Sequence, residues 1–166
     1  MTLRVIVLSD THIPDFARAL PAALVPALRE ADLILHAGDV TAPAILDELA
    51  AFAPVHAVIG NGDRPEEMLE WGAAPTLELT FEGVRLAMIH DSGSREGRER
   101  RMRRRFPDAD VVVFGHSHIP WNAETEGQLL FNPGSPTWKR RQAAPTYGVL
   151  HLAGGRIRAE VRALPA

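Results

Sequence analysis

Five apolar stretches of the chain each lead directly into a short segment of aspartate, histidine, asparagine and glycine. The stretches are, in order, VIVLS, DLILHA, VHAVI, RLAMI and DVVVF. The segments after them are Asp10-Thr11-His12, Gly38-Asp39, Gly60-Asn61-Gly62-Asp63, His90-Asp91 and Gly115-His116-Ser117-His118. Short apolar runs bounded by glycine and polar residues predict buried strands, and ligands of open α/β sheets bind beyond the carboxyl ends of such strands. The pattern therefore predicts one rim of oxygen and nitrogen ligands suited to divalent metal ions.

Chain length and composition restrict the class of protein further. A chain of 166 residues, 46% of them hydrophobic, predicts one globular domain over residues 1–166. Its apolar runs are too short to span a membrane, and the first is too short for a secretory signal. The absence of cysteine excludes disulfides and thiolate metal sites and favours a cytoplasmic location. A net charge of −3 argues against general nucleic-acid binding.

Local patterns predict the order of strands and helices. Single strands are expected over residues 3–9, 32–36, 55–59 and 110–114, and helices over 16–31, 42–52, 64–70 and 94–106. Glycine-containing turns predict three hairpins, over 76–89, 121–131 and 146–162. Pro26 is expected to kink the first helix. Alternating strands and helices followed by hairpins favour one mixed sheet and one antiparallel sheet.

In order and approximate spacing, the five segments resemble the signature of the calcineurin-like metallophosphoesterases, which reads D-x-H, G-D, G-N-x-[DE], a histidine after a strand, and G-H-x-H. The short chain and Asn132-Pro133-Gly134-Ser135 are similar to the small one-domain branch of prokaryotic phosphodiesterases, which has a eukaryotic relative that serves as a trafficking scaffold. The resemblance extends over nearly the whole chain. It implies an α/β fold: a four-layer α/β/β/α sandwich of two stacked, mainly mixed β-sheets flanked by helices.

Carried over residue by residue, the family motif implies two divalent metal ions. Asp39 would bridge them, since each of its two carboxylate oxygens can face one ion. Asp10, His12 and His118 would complete one site, and Asn61, His90 and His116 would complete the other. Manganese is favoured, with iron, cobalt, nickel and zinc as alternatives, because nitrogen and oxygen ligands accept all of them. The implied reaction is hydrolysis of a small phosphodiester by a hydroxide that bridges the two ions.

Two positions depart from the family pattern. Gly62 stands where many relatives carry a histidine near the leaving group, so no imidazole can protonate the leaving group from there. This implies a shift towards phosphodiesters whose leaving groups need little help. Asp91 stands where glycine often follows the metal-binding histidine, and it could tune His90 or cap the loop. Asp91, His36 and Asp63 are expected to lie beside the ligands without binding metal themselves.

Other conspicuous side chains have plainer interpretations. His56 and His151 lie inside strand patterns and are expected to be structural. Trp121 and Trp138 could line a pocket, but a position in the core or at a dimer contact is favoured, and a homodimer is left open. Pro133-Gly134-Ser135 is expected to shape a turn near the site.

The arginine-rich segment 95–105 could be a nucleic-acid patch, but a solvated helix face is favoured. Glu96 with Arg100, and Glu99 with Arg103, stand four residues apart and would partly neutralise the helix. One of the arginines could still reach a substrate phosphate.

Two rival functions stay open beside a phosphodiesterase. The first is a phosphomonoesterase or nucleotide pyrophosphatase that uses the same site. The second is a protein-interaction scaffold with a vestigial site, against which the complete set of candidate ligands argues.

Overall fold

A computed structural model describes residues 1–165, which form ten strands and four α-helices. The strands are β1 (Leu3–Leu8), β2 (Leu33–His36), β3 (Val55–Ala57), β4 (Thr76–Phe81), β5 (Val84–Ile89), β6 (Val111–Val113), β7 (Trp121–Thr125), β8 (Gln128–Asn132), β9 (Thr146–Ala153) and β10 (Arg156–Ala163). The helices are α1 (Val25–Arg29), α2 (Ala44–Ala50), α3 (Pro65–Trp71) and α4 (Arg98–Arg105). None of the described helices combines the length and apolar character needed to cross a membrane.

The strands form two five-stranded sheets, and both are mixed. The first has the order β10-β9-β1-β2-β3. Strands β1, β2 and β3 run parallel to one another, and β9 is antiparallel to both of its neighbours, β1 and β10. The second has the order β4-β5-β6-β8-β7, in which β5, β6 and β8 run parallel between two antiparallel edge strands. The antiparallel second sheet that the hairpin pattern favoured was therefore wrong, whereas the two mainly mixed sheets that the family resemblance implied are confirmed. The crossover through α4 makes β6 parallel to β5, and the β7–β8 hairpin returns β8 in the same direction.

Alternate residues of the strands pack into three apolar clusters that hold four layers together. Val5 and Val7 of β1 face Met88 of β5 across the gap between the two sheets. Ile6 of β1 points the opposite way, into a cluster that includes α1 and α2. On the far side, Val112 of β6 lies in a cluster with Met102 of α4. The structure is thus the α/β/β/α sandwich that the family resemblance implied.

The first and last helices are shorter than the sequence predicts. Of residues 16–31, only Val25–Arg29 is α-helical, after a single 3₁₀ turn at Ala22–Leu24. Pro26 lies in the first turn of α1, where its missing N–H needs no partner, so it starts a helix instead of kinking one. Helix α4 begins at Arg98, because Gly97 before it has a left-handed backbone with φ of 75°.

All three predicted hairpins are present, with tight turns at the predicted residues. The central turn residues Glu82-Gly83 have φ of 49° and 76°, and Glu126-Gly127 have φ of 49° and 81°. Gly154-Gly155 also has positive φ at both positions. Two successive positive values are typical of type I′ turns, whose twist matches that of the paired strands.

Gly148 of β9 is expected to be essential for close packing of the two sheets. A Cβ atom at this position would lie 2.7 Å from Cζ of the buried Phe131 in β8. We expect Gly148→Ala to lower the free energy of unfolding by about 1–3 kcal/mol through overpacking. Urea unfolding of the metal-free protein measures the loss.

Phe131→Leu provides the matched control, because it removes the ring atoms that a Cβ at Gly148 would meet. The double variant should lose less stability than the sum of the two single variants, by about 1 kcal/mol or more. If the two losses of stability were strictly additive, contact with the Phe131 ring would not be the cause of the loss in Gly148→Ala.

Candidate metal centre

Loops after β1, β2, β3, β5 and β6 meet at one edge of the sandwich and bring the candidate ligands together. One group of potential metal-binding side chains consists of Asp10, His12 and His118, and a second of Asp39, His90 and His116. Within each group, one ligand atom from each residue lies within 4.8 Å of the others. The Asn61 Oδ1 atom joins the second group, at 3.0 Å from His90 Nε2 and 2.9 Å from His116 Nδ1.

In the first group, Asp10 has one satisfied and one unsatisfied carboxylate oxygen. Its Oδ2 accepts hydrogen bonds from Ser9 Oγ at 2.6 Å and from the backbone N–H of His116 at 3.0 Å. Its Oδ1 is buried and has no hydrogen-bond partner. Burial raises the pKa of Asp10, but the nearby rings of His12, His90 and His118 and the hydrogen bond from Ser9 outweigh it and lower the pKa overall. An ionised, unpartnered oxygen therefore faces the site.

The two histidines of this group point unpartnered nitrogens at the same oxygen. His118 Nδ1 donates to the backbone carbonyl of Trp138 at 2.7 Å, so its Nε2 carries a free lone pair. The Nε2 atoms of His118 and His12 are buried without a partner, at 3.5 and 3.7 Å from Asp10 Oδ1. Unpartnered buried polar atoms are rare. Ligand atoms that share an ion at 2.0–2.2 Å lie roughly 3.0–3.5 Å apart, so these residues fit a metal ion.

In the second group, His90 Nε2 faces oxygen atoms only. Its Nδ1 donates to the carbonyl of Ala37 at 2.7 Å. Its Nε2 lies 3.3 Å from Asp39 Oδ2 and 3.0 Å from Asn61 Oδ1. Burial lowers the pKa of His90, but its hydrogen bond with Asp39 and the charge of Asp10 more than offset this and raise the pKa to about 9. A cation is strongly favoured at this nitrogen, whether it is a proton or a metal ion.

Asp39 lies between the two groups and faces both with a single oxygen. Its Oδ2 is 3.5 Å from His12 Nε2 and 3.3 Å from His90 Nε2. Its Oδ1 accepts the backbone N–H of Gly62 at 2.7 Å and therefore points away from the histidines of both groups. Burial raises the pKa of Asp39, but the bonds to His90 and Gly62 lower it to about 2. One oxygen, and not one for each ion, is therefore available for bridging.

His36 is fully buried beside the site and uses both ring nitrogens within the protein. Its Nδ1 accepts the backbone N–H of Gly38 at 3.1 Å, so its Nε2 donates to Thr11 Oγ1 at 3.0 Å. Burial lowers the pKa of His36 to about 4, which keeps the ring neutral. It joins the loop after β2 to the loop after β1.

Asp63 braces two of the ligand loops through backbone hydrogen bonds. Its carboxylate accepts the N–H groups of Asp39 at 2.9 Å, Thr41 at 2.9 Å and Gly60 at 2.8 Å. Asp63 therefore orients the loops that carry Asp39 and Asn61 without belonging to either ligand group.

Asp91 caps its own loop and faces a different histidine from the one that the sequence indicated. Its Oδ1 accepts the N–H of Gly93 at 2.8 Å. Its Oδ2 lies 3.8 Å from Nε2 of His116, whose Nδ1 points to Asn61. Of the two roles considered for Asp91, loop capping is present, and its neighbour in the site is His116 in place of His90.

Strained backbone and close approach characterise the ligand loops. Five candidate ligands have positive φ, namely Asp10, His12, Asp39, His116 and His118. Non-glycine residues rarely adopt this conformation, and such strain clusters at functional sites. The loops also need two glycines. A Cβ at Gly60 would lie 2.8 Å from Asp39 Cγ, and one at Gly115 would lie 2.7 Å from Asp10 Oδ2.

The end of β8 and the segment after it hydrogen-bond to two of the ligand loops. Asn132 donates to the carbonyl of Gly115 at 3.2 Å, and Ser135 Oγ donates to the carbonyl of Asp10 at 2.8 Å. The signal in the sequence was Asn-Pro-Gly-Ser after an apolar run, from which we expected a turn near the site but not these hydrogen bonds.

An aromatic pair lies at the rim of the site. Trp138 was expected in the core or at a dimer contact, with the lining of a pocket as the alternative, and its ring centroid lies 5.3 Å from that of His12 and 5.0 Å from that of His118. Phe16, which the sequence analysis did not single out, stacks on Trp138 at 3.7 Å between centroids. Trp121 lies elsewhere, packed against the outer cluster of the second sheet and against Arg95 and Arg98.

The arginines of α4 bind backbone carbonyls instead of the predicted glutamates. Arg101 donates to the carbonyl of Ser92 at 2.8 Å, and Arg103 donates to the carbonyl of Glu126 at 2.6 Å. Neither predicted Glu–Arg pair is among the ion pairs within residues 1–165. Helix α4 thus fastens neighbouring loops through Arg101 and Arg103, while Arg100, Arg104 and Arg105 are exposed on the solvated face that the sequence analysis favoured.

His56 and His151 lie in strands away from both ligand groups. The His56 ring packs against Phe81, with centroids 5.8 Å apart. His151 lies between the guanidinium groups of Arg4 and Arg158, each at 3.3 Å.

Comparison with known proteins identifies the family. The profile of the calcineurin-like phosphoesterase superfamily domain matches residues 3–155. A probable metallophosphoesterase of Methanothermobacter thermautotrophicus is 41% identical over 159 residues, which cover 93% of this chain and 89% of that protein.

Solved structures show the same fold at lower identity. Vacuolar Protein Sorting 29 from Cryptosporidium parvum superposes with a TM-score of 0.81 at 20% identity, over 99% of both chains. A structure described as a novel archaeal phosphodiesterase gives a TM-score of 0.73 at 21% identity, over 96% of this chain and all of that one. From the profile match and the archaeal relative, the chain belongs to the calcineurin-like phosphoesterase superfamily.

Proposed function

We propose that this metallophosphoesterase hydrolyses small phosphodiesters with the help of two divalent metal ions. The single observation that carries the proposal is the position of Asp39 Oδ2, within 3.5 Å of a histidine nitrogen from each ligand group. Two ions with a shared ligand are the arrangement that many phosphoester hydrolases use.

The proposed ligands follow from the two groups of converging atoms. Asp10, His12 and His118 would hold one ion, His90, His116 and Asn61 would hold the other, and Asp39 would be shared. When bound, such ions lower the pKa of water and offset negative charge on phosphoryl oxygens. The donor set is nitrogen and oxygen only, and manganese remains our favoured ion, with iron, cobalt, nickel or zinc as alternatives.

The remaining residues of the rim hold these ligands in place. Asp63 fixes the backbone around Asp39, and the carbonyls of Ala37 and Trp138 orient His90 and His118. Since each of these two rings donates through Nδ1, each presents Nε2 to the site. Such preorganisation reduces the rearrangement needed when a phosphate anion enters.

Preference for diesters over monoesters rests on Gly62. The backbone N–H of Gly62 bonds to Asp39, and no side chain extends from this position towards a leaving group. A substrate whose leaving group departs without a proton suits such a site. The structural likeness to an archaeal phosphodiesterase is consistent with this proposal.

A substrate panel tests the proposed reaction directly. We expect protein loaded with manganese to hydrolyse bis(p-nitrophenyl) phosphate with a higher kcat/KM than p-nitrophenyl phosphate or a nucleoside pyrophosphate. Release of nitrophenolate and of inorganic phosphate measures the rates. A preference for monoesters or pyrophosphates would favour the first rival, and inactivity with no bound metal would favour a scaffold.

Asp39→Ala should remove most of the bound metal, because both proposed sites lose a ligand. Asn61→Ala should lower occupancy at one site only, towards one ion per chain. Elemental analysis of protein loaded with manganese measures the ratio, and diester hydrolysis should fall at least about 100-fold in Asp39→Ala.

Asp108→Ala is the matched control, since this exposed carboxylate precedes β6 at the edge opposite the site. It should keep the full metal content and activity. Two ions per chain in Asp39→Ala would contradict the bridging role.

Gly62→His should help poor leaving groups selectively if a proton donor is what the site lacks. We expect a gain of at most about tenfold on alkyl diesters and little change on nitrophenyl diesters, well below the 10²–10⁴-fold of an evolved general acid. The φ of Gly62 lies outside the left-handed region, but a Cβ there would lie 3.2 Å from Asp39 Oδ1.

Gly62→Ala controls for that contact because it adds the Cβ without the imidazole. Metal content is measured first in both variants. If fully metallated Gly62→His behaves like Gly62→Ala on every substrate, leaving-group protonation is not limiting.

A further inference from the structure

The Phe16–Trp138 stack forms an aromatic wall beside the first ligand group. Both rings meet the His12 ring edge-on, with centroids at 5.6 Å for Phe16 and 5.3 Å for Trp138. Trp138 covers one face of Phe16, yet 58% of the Phe16 surface is exposed. A large aromatic ring next to candidate metal ligands therefore offers free surface to whatever enters the site.

Positive charge follows the wall directly in the chain. Lys139, Arg140 and Arg141 are exposed residues immediately after Trp138. The Arg140 guanidinium lies 4.6 Å from the centroid of the Trp138 ring. None of the three cations is among the ion pairs of the described part of the chain. The surface is thus aromatic and cationic together, and it adjoins a site suited to a phosphate ester.

We propose that this wall stacks the nucleobase of a nucleoside phosphodiester whose phosphate lies at the metal centre. Bases stack on aromatic side chains and on guanidinium groups, and the cations favour an anionic ligand. An acyl chain would need a continuous apolar channel. Phe16 is instead one of only four exposed large hydrophobic residues among those described, with Met1, Leu69 and Ile119. The inference rests on the proposed phosphodiesterase function and specifies its substrate class.

Two diesters with the same leaving group isolate the contribution of the base. Thymidine 5′-(p-nitrophenyl phosphate) carries a base on the retained side, and methyl p-nitrophenyl phosphate does not. We expect the manganese-loaded protein to show a lower KM for the thymidine ester, and Phe16→Ala to raise that KM about five- to tenfold. The KM for the methyl ester and both kcat values should change less than twofold.

Two further variants separate stacking from general effects of a surface substitution. Phe16→Tyr keeps the ring and should retain the preference for the thymidine ester. Leu69→Ala removes a similarly exposed apolar side chain on α3, at 55% exposure, and should change neither KM.

Binding of the reaction products makes the test independent of catalysis. The dissociation constants of thymidine 5′-phosphate and methyl phosphate are compared by calorimetry with metal-loaded protein. Tighter binding of thymidine 5′-phosphate than of methyl phosphate, lost in Phe16→Ala, would support the aromatic wall. If neither diester were hydrolysed at the same time, only the phosphodiesterase function would be overturned. Equal binding of the two phosphates, or a preference that survives in Phe16→Ala, would overturn the proposal.

Discussion

Apolar packing between the two sheets is the interaction on which the candidate site depends, because neither sheet carries a complete ligand group. Asp10 and His12 come from the first sheet, but their partner His118 comes from the second. Asp39 likewise belongs to the first sheet and meets His90 and His116 from the second. Side chains such as Val7 and Phe131 fill the gap between the sheets. Close packing there sets the distance between the two halves of each group.

Hydrogen bonds between the two sheets' loops orient the side chains of the candidate ligands. His90 donates to the carbonyl of Ala37, and the N–H of His116 donates to Asp10. Ser135, which follows β8, donates to the carbonyl of Asp10. Most buried polar groups around the site are satisfied in this way. The exceptions include Oδ1 of Asp10 and Nε2 of His12 and His118, which point at one another. Three unsatisfied ligand atoms that converge on one point are the arrangement expected of a metal site.

The two flanks of the centre differ in chemical character. On one flank, Asp91 faces the half-exposed His116 and adds negative charge near the second group. On the other, Phe16 and Trp138 adjoin the first group and are followed by cationic residues. The proposed anionic substrate would meet its favourable charge on the aromatic flank. Gly62 adds no side chain beside Asp39, where even a Cβ atom would lie 3.2 Å from Oδ1.

Much of the architecture could be predicted from the chain, because each signal is local. Runs such as VIVLS, followed at once by Asp10, identify strands and the polar residues at their ends. The glycine turns identified the three hairpins, since two successive positive φ values are nearly exclusive to such sequences. The motif spacing identified the family and, with it, the candidate ligands. Helix ends were less predictable, because Pro26 is compatible with either a kink or a start.

The chain alone thus identifies the candidate ligands at the rim, whereas the neighbours that each ligand contacts depend on the folded arrangement of the two sheets. Pairing Asp91 with His116 and Trp138 with His118 requires loops from different strands to converge, and no local pattern encodes that distance. The same holds for Asp39, whose single free oxygen follows from a backbone N–H twenty-three residues away at Gly62. Strands, turns and the polar residues that follow strands depend on neighbouring residues, whereas contacts between distant segments form only once the two sheets have packed together.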